Sequence, residues 1–383
     1  MLNFEYHNPV RIVFGKGSIE KLARLVPDGR VLMTYGGGSI RRNGVYDQVM
    51  DALKGREVIE FGGIEPNPTY ETCMRAVEIT KKESVAFLLA VGGGSVIDGT
   101  KFIAAASRYT GGDPWEILSM HAEVREAVPL GVVLTLPATG SEMNTFAVIS
   151  RSETREKLPF SSPHVAPRFS ILDPETTFSL PERYLRNGIV DAFVHVMEQF
   201  ATYDVDTPLQ DRLAVSIAET LVEIAPMVFS NPPDYNTRAT FMWCATQALN
   251  GSISCGVVQD WSTHMIGHEL TAFFGLDHGE SLAVVLPGVW RHQIQEKSEK
   301  LALLGKRIWG ISGVSARDAA DRCIEATEGF FRSLGMKTRL GEYGIEGNEI
   351  DMVVDRFRER GTVLGERQDI GPGEIREILL SRL

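Results

Sequence analysis

The sequence predicts an α/β doubly wound domain followed by an all-α domain. Three observations carry this. Strand-type runs alternate with glycine turns and helix-period stretches up to about residue 172. Two of those runs, RVLMTY at 30–35 and AFLLAV at 86–91, are almost wholly apolar, as strands covered on both faces are, and each runs into Gly-Gly-Gly-Ser. From Glu182 onward only helix-period stretches occur, with few β-branched runs.

Taken in order, residues 10–14 read as a short alternating strand ending at Gly15 and Gly17, one arm of a hairpin. Ser18 is the N-cap of a helix through Val26. The strand at 30–35 leads into Gly36-Gly37-Gly38-Ser39 and a helix over 45–53. A strand at 58–61 precedes a loop punctuated by Pro66 and Pro68, and Thr69 caps a helix reaching Lys82. The strand at 86–91 enters Gly92-Gly93-Gly94-Ser95 and a helix to about Tyr109. LGVVL at 130–134 is another buried strand, followed by Pro137-Ala138-Thr139-Gly140-Ser141-Glu142, and short β pieces are expected near 146–149 and 169–172. Asp173-Pro174 and Leu180-Pro181 mark a change of character near 175–181, so residues 1–178 are assigned to the α/β domain and 179–383 to the helical one. The helical stretches are 182–203, 208–228, 234–254, 259–274, 281–297, 298–310, 315–333 and 347–364.

A chain of 383 residues is long enough for two domains with sizeable cores. The net charge of −11 argues against nucleic acid and anionic membrane surfaces as partners. No apolar run approaches the roughly 18 residues of a membrane span, and the N-terminus shows no signal-peptide core. The four cysteines, Cys73, Cys244, Cys255 and Cys323, are scattered and read as reduced thiols of a cytoplasmic protein.

The chemistry concentrates in WSTHMIGHELTAFFGLDHG, residues 261–279. His264 and His268 sit at i and i+4, so on a helix their imidazoles share a face. His278 follows a Phe-Phe-Gly-Leu-Asp break where the chain can fold back. Asp191 and His195 in IVDAFVHVME repeat the i, i+4 spacing. A lone helical histidine is more often a satisfied core or surface residue. Two such pairs inside otherwise apolar helices are costly to bury without a common partner. Asp191, His195, His264 and His278 are therefore the candidate ligands of one divalent metal, Zn or Fe, with raw affinity favouring Zn(II) over Fe(II). His268 would over-fill that set; it is either a proton carrier or a hydrogen-bonding neighbour of a ligand.

Gly92, Gly93, Gly94 and Ser95 join a strand to a helix, where close backbone approach and the helix dipole suit a phosphate; a plain tight turn reads equally well. Asp98, one turn on, either faces the ligand, which makes it a second candidate catalytic group beside His268, or is an ordinary first-turn acid. The Gly37-Gly38-Ser39 turn carries no acid for a ribose 2′-hydroxyl, and Arg41 and Arg42 follow; this favours NADP(H) over NAD(H). Thr135, Thr139 and Ser141 lie where ligands bind at the carboxyl end of a parallel sheet, with Asn144, Lys157 and Phe160 as weaker candidates for phosphate contact and pocket lining. No nucleophile elbow, P-loop lysine or cysteine–histidine pairing is evident.

On these residues the chain resembles the iron-containing (group III) alcohol dehydrogenase family. Gly92 to Ser95 with Asp98, the Thr139-Gly140-Ser141-Glu142 segment, Asp191 with His195, and His264, His268 and His278-Gly279 carry the likeness over nearly the whole length. LMTYGGGS, FGGIEPNP, LLAVGGGSVIDGTKFIAAA, WCATQALNG and QDWSTHMIGHELTA bring it nearest to the butanol dehydrogenase-like, NADPH-dependent aldehyde reductases. The resemblance implies a dehydroquinate synthase-like fold, with an N-terminal dinucleotide-binding domain, a helical C-terminal domain and the active site in the cleft between them. It implies that Asp191, His195, His264 and His278 hold the metal with His268 beside it. It places the pyrophosphate at Gly92 to Ser95 and the cofactor against Thr135, Thr139 and Ser141. Gly37, Gly38 and Ser39 would surround the adenosine 2′ position, with Lys157 near its phosphate. Asp277 stands where many members have proline, though the aldehyde-reductase subgroup shares it. The implied reaction is hydride transfer between the nicotinamide and short-to-medium-chain aldehydes or primary alcohols such as butanal and butanol, in a homodimer. The alternatives are a metal- and NAD-dependent lyase of the same fold, of the dehydroquinate synthase type, and a polyol dehydrogenase. A lyase with a phosphate-bearing substrate would want a cluster of lysine and arginine, and none accompanies 191–195 or 261–279.

Overall fold

Six parallel strands form the sheet of the first unit in the computed structural model, which describes residues 1–383. They are β1 (Arg11–Phe14), β2 (Val31–Tyr35), β3 (Val58–Phe61), β4 (Phe87–Gly93), β5 (Leu130–Leu136) and β8 (Phe169–Leu172), in the order β1-β8-β5-β4-β2-β3. An antiparallel hairpin, β6 (Phe146–Arg151) and β7 (Glu156–Ser161), stands apart from the sheet. The helices of this part are α1 (Leu22–Leu25), α2 (Ser39–Arg42), α3 (Val45–Ala52), α4 (Tyr70–Lys82), α5 (Gly94–Ala106) and α6 (Glu116–Ser119). One apolar cluster joins the sheet to α4 and α5 through Leu88, Val132, Phe102 and Ile103. A second, with Val31, Leu89, Val133, Val45 and Val49, covers the other face.

Strand order creates a switch point. β2 pairs with β3 on one side and with β4 on the other, both in parallel, so the chain turns one way after β2 and the other way after β4. The two glycine turns thus lie side by side at the carboxyl ends of neighbouring strands, the position at which open α/β sheets bind ligands. A Cβ on Gly36 would come 3.7 Å from Val96 in the first turn of α5.

The second unit is helical: α7 (Glu182–Phe200), α8 (Pro208–Val228), α10 (Ser262–Phe274), α11 (His278–His292), α12 (Ile294–Ile308), α13 (Ala316–Ser333), α14 (Gly347–Arg360) and α15 (Pro372–Leu380). Helix α9 (Tyr235–Ala248) does not belong to it. Compact packing groups residues 7–181 with 231–246, and residues 1–6 and 182–230 with 247–383. Met242 enters the core beside the sheet and the Trp243 ring meets Phe14 edge-on at 6.0 Å. Periodicity identifies such a helix but not the surface it covers.

Several expectations are corrected. Residues 11–14 are not a hairpin arm: β1 pairs in parallel with β8, Arg11 opposite Phe169. The strand β7 went unread because Pro159 lies inside it, and a two-stranded ribbon tolerates proline. Helix α11 begins at His278 rather than 281, because Glu280 accepts the Asp277 amide at 3.0 Å and fixes the start. No helix is long and apolar enough to cross a membrane. The four cysteines are unpaired, and burial pushes the thiols of Cys244 and Cys323 up to about 12, too high for nucleophiles.

Candidate metal centre and nucleotide turns

Helix α7 runs through the interior of the helical unit, buried without interruption from Gly188 to Phe200. Its apolar residues make that burial favourable, and its polar ones must then find partners inside. Asp191 and His195, one turn apart, point to one place. The Asp191 Oδ1 atom lies 3.5 Å from His195 Nδ1, 3.7 Å from His264 Nε2 and 3.5 Å from His278 Nε2. The ligand-type atoms of Asp191, His195 and His264 all fall within 4.8 Å of one another, and His278 joins through its approach to Asp191. The His195 and His264 rings stack with centroids 4.6 Å apart, and Trp261 closes one side, edge-on to His264 at 5.3 Å.

Three further helices hold this arrangement. Gly275, at φ +71°, ends α10 in the left-handed region and lets the chain return as α11 with His278 in its first position. Asp277 receives a two-pronged Arg183 guanidinium, at 2.5 and 2.6 Å, and the Asn187 amide at 2.9 Å, so α7 grips the start of α11. The turn therefore has its own reason for aspartate at 277. Glu269 of α10 is paired with Arg360 of α14 at 2.6 Å and with Arg356 at 3.6 Å.

Does the site suit a divalent metal? The donors are one carboxylate and three imidazoles, a borderline set without thiolate. His195 Nδ1 and His264 Nε2 are buried without a hydrogen-bond partner. Two ligands at about 2.1 Å from one tetrahedral ion stand about 3.4 Å apart, close to the separations found. Burial holds the His195 imidazole down at about 4, partly opposed by Asp191, so it is neutral at pH 7 as a ligand must be. Burial also pulls on His264, but the carboxylates of Glu198 and Asp191 outweigh it and raise that imidazole to about 9. A proton and a cation then compete for the same lone pair. The residues fit the ion. The His278 side chain is 23% exposed against 4% for Asp191, so access is from the His278 side.

His268 is buried, with its ring 5.5 Å from His278 and 6.3 Å from His264. It is outside the cluster of mutually close ligand atoms. Glu198 was missed by the sequence reading although it lies on the Asp191–His195 face, three residues past His195; its carboxylate bonds His264 Nδ1.

In the α/β unit the structure gives the glycines a steric reason of their own. A Cβ on Gly92 would come 2.6 Å from Val96, on Gly93 2.9 Å from Leu136, and on Gly94 2.5 Å from Thr139. Helix α5 starts directly from β4 with no side-chain cap and no acid in its first turn, so its leading amides are available to an anion. Ser95 is partly buried in that first turn, and Thr135 is buried in β5. The Ser141 amide donates to Thr139 Oγ1 at 3.2 Å, shaping the turn against Gly94. Asp98 is committed to the chain: it accepts from Ser141 Oγ at 2.6 Å and from the Val148 amide at 3.0 Å. Lys101, not singled out from sequence, is fully buried and donates to Ser141 Oγ, Asn144 Oδ1 and the Phe146 carbonyl at 2.9, 2.9 and 2.7 Å, which uses all three ammonium protons. Lys157 is buried in β7. Gly37 and Gly38 have open space where a Cβ would be, and Gly38 at φ +86° precedes Ser39, the first residue of α2. The turn lacks an acid along the chain but not in space. Glu60 of β3 bonds the Tyr46 hydroxyl at 2.7 Å and also Arg41, which lies 3.9 Å over the Tyr46 ring. Arg41 is therefore not a freely solvated cation.

Residues 9–174 match the family described as iron-containing alcohol dehydrogenase, and residues 186–382 match the C-terminal part described as Fe-containing alcohol dehydrogenase family. The chain belongs to this family. It is 54% identical to the NADPH-dependent aldehyde reductase YqhD of Escherichia coli over 97% of each chain. The crystal structure of E. coli YqhD superposes with a TM-score of 0.98 at 52% identity, covering 100% of this chain and 99% of that one. That of the NADH-dependent butanol dehydrogenase A of Thermotoga maritima does so at 0.95 and 36% identity, covering 100% and 99%.

Proposed function

We propose that this protein is a metal-dependent, NADP(H)-linked aldehyde reductase and alcohol dehydrogenase. It interconverts short-to-medium-chain aldehydes and primary alcohols of the butanal and butanol kind. The observation that carries the proposal is the convergence of three imidazole nitrogens within 3.5–3.7 Å of Asp191 Oδ1. The YqhD likeness supports the reduced NADP cofactor and the aldehyde substrate.

Asp191, His195, His264 and His278 hold an Fe(II) or Zn(II) ion. Such an ion supplies Lewis acidity to a substrate carbonyl while the nicotinamide supplies the hydride. The chain's own residues do the rest. With a single carboxylate among the four ligands, the residues would leave a bound divalent ion only partly neutralised. His268, buried beside His278, is placed to hold a proton for the product alcohol. The leading amides of α5, at Gly94 and Ser95, bind the pyrophosphate, with Gly92 and Gly93 letting it approach. Thr135, Thr139 and Ser141 line the cofactor's path. Asp98 acts by fixing Ser141 rather than by touching substrate. Gly37, Gly38 and Ser39 leave room at the adenosine 2′ position, with Lys157 contributing charge to a 2′-phosphate. The proposal includes a homodimer in the cytoplasm, and light scattering of the purified protein tests the dimer.

The test uses metal-stripped protein reloaded with Fe(II) or Zn(II). Loss of NADPH absorbance with butanal, dependent on metal and faster than with NADH, is the expected result. Faster NADH oxidation would keep the reaction and overturn the cofactor preference. No oxidation with either cofactor, in protein that has taken up metal, would overturn the reductase reading.

A further inference from the structure

We infer that Glu198 is the positioning residue of the metal centre: one carboxylate sets both the tautomer of His264 and the place where the helix carrying it begins. The inference rests on the proposal that His264 is a metal ligand.

Glu198 lies on α7, three residues beyond His195, so Asp191, His195 and Glu198 share one helix face at i, i+4 and i+7. It is 4% exposed. Its two oxygens divide the work. Oε1 accepts the backbone amides of Thr263 at 2.7 Å and His264 at 3.2 Å. Those are second- and third-position amides of α10, which have no partner inside the helix. The first, that of Ser262, goes to Asp260 at 3.0 Å. Oε2 pairs with His264 Nδ1.

A carboxylate can only accept, so Nδ1 of His264 carries a proton in either charge state, and in the neutral ring that a metal needs the lone pair lies on Nε2. Nε2 is the atom that faces Asp191 Oδ1, at 3.7 Å. The same contact fixes the ring's rotation about its Cα–Cβ and Cβ–Cγ bonds, because Nδ1 cannot leave Glu198 without stranding the buried Oε2 atom. The amide contacts tie the backbone of His264 to α7, which carries Asp191 and His195. Three of the four proposed ligands are thereby referred to one helix, and the register of α10 against α7 does not depend on the ion. An acid that served only as a helix cap would have no need to meet the ring. One serving only the ring would have no need of the amides. The carboxylate does both, in a place where a buried charge is otherwise unfavourable.

Glu198→Gln keeps the volume and one acceptor oxygen. It is measured beside wild type and His264→Ala, using metal-stripped protein titrated with Zn(II) and Co(II) against a competing chelator. The metal dissociation constant of Glu198→Gln should rise about 10- to 100-fold, the usual effect of removing such a partner. The visible spectrum of its Co(II) form should also change. In zinc-loaded wild type, the His264 Nδ1–H should appear by NMR as a downfield, slowly exchanging proton that vanishes in His264→Ala. This readout needs no Glu198 variant and survives if that variant fails to fold. Metal affinity in Glu198→Gln within twofold of wild type, with an unchanged Co(II) spectrum, would reduce Glu198 to a helix cap and overturn the inference. A rapidly exchanging His264 Nδ1–H would do the same. Undiminished metal affinity in His264→Ala would instead overturn the ligand assignment itself, and the inference with it.

Discussion

Gly279 is the residue on which the placement of His278 depends most sharply. A Cβ built there would come 2.8 Å from both the Cα and the carbonyl oxygen of Asn187, and 3.1 Å from its Cβ. Ordinary contact begins at 3.4 Å, so Gly279→Ala must move the start of α11 away from α7 by about 0.6 Å. Two of the three opposing atoms are backbone of a buried helix, which cannot step aside as a side chain can. Overpacking of this kind costs about 1–3 kcal/mol, which lowers the melting temperature by about 2–12 °C for a unit of this size. The ring of His278 moves with its backbone. Metal ligands tolerate displacements of about 0.2 Å, so metal affinity should fall about tenfold or more. Gly267→Ala is the control. Its Cβ would meet Ser281 Oγ at 2.9 Å and a Leu282 methyl at 3.3 Å, side-chain rather than backbone atoms, although the Ser281 hydroxyl also donates to the His278 carbonyl at 2.8 Å. It should cost less stability than Gly279→Ala and lower metal affinity less, because no opposing atom is backbone. Melting of the metal-free proteins and chelator competition give the two quantities separately. A Gly279→Ala protein with wild-type melting and wild-type metal affinity would refute the argument that α7 sets the position of α11.

Lys101→Met should destabilise the protein by about 3–5 kcal/mol, because it removes the charge that offsets the buried Asp98 and Glu142 carboxylates, and should raise the KM for NADPH more than it lowers kcat, because the 139–144 turn loses its anchor. Glu328 is surrounded by Arg291, Arg339 and Arg382, and although burial raises its pKa, Arg382 and the others bring the carboxyl down to about 2 from 4.5. Its stabilising effect is therefore complete above the unfolded value and lost as pH falls from about 4.5 to about 2. Glu328→Gln should flatten acid unfolding across that window, with no more than about 3 kcal/mol at stake; an unchanged acid limb would count against the pairing. Glu60→Gln releases Arg41 from its carboxylate and should raise the preference for NADPH over NADH up to about fivefold, the scale of an exposed ion pair. A preference that moved toward NADH would mean that Arg41 has no part in the 2′ position.

How much of this was legible in the sequence depended on distance along the chain. The i, i+4 pairs Asp191–His195 and His264–His268 were readable because helix period alone puts each pair on one face. The glycine turns were readable because each directly joins an apolar strand to a helix. Glu198 continues the Asp191–His195 stripe and was available to the same reasoning, but an acid near a helix end ordinarily reads as solvated. Lys101 was overlooked because a helical lysine ordinarily reads as solvated, although a lysine followed by Phe-Ile-Ala-Ala-Ala is an unusual thing to bury. Glu60 was out of reach: it approaches Arg41 and Tyr46 only because β3 pairs with β2, and strand order is not written in local pattern. The parallel pairing of Arg11 with Phe169 and the capture of α9 by the α/β unit are non-local in the same way.

The central claim is that one metal ion sits among Asp191, His195, His264 and His278. Anomalous diffraction at the iron or zinc edge, from crystals of the loaded protein, tests it most directly. The account predicts a single strong peak per chain bonded to the Asp191 carboxylate and three imidazoles, with the His264 bond made through Nε2. A peak bonded to His268 in place of any of the four, or one elsewhere in the chain, would contradict it.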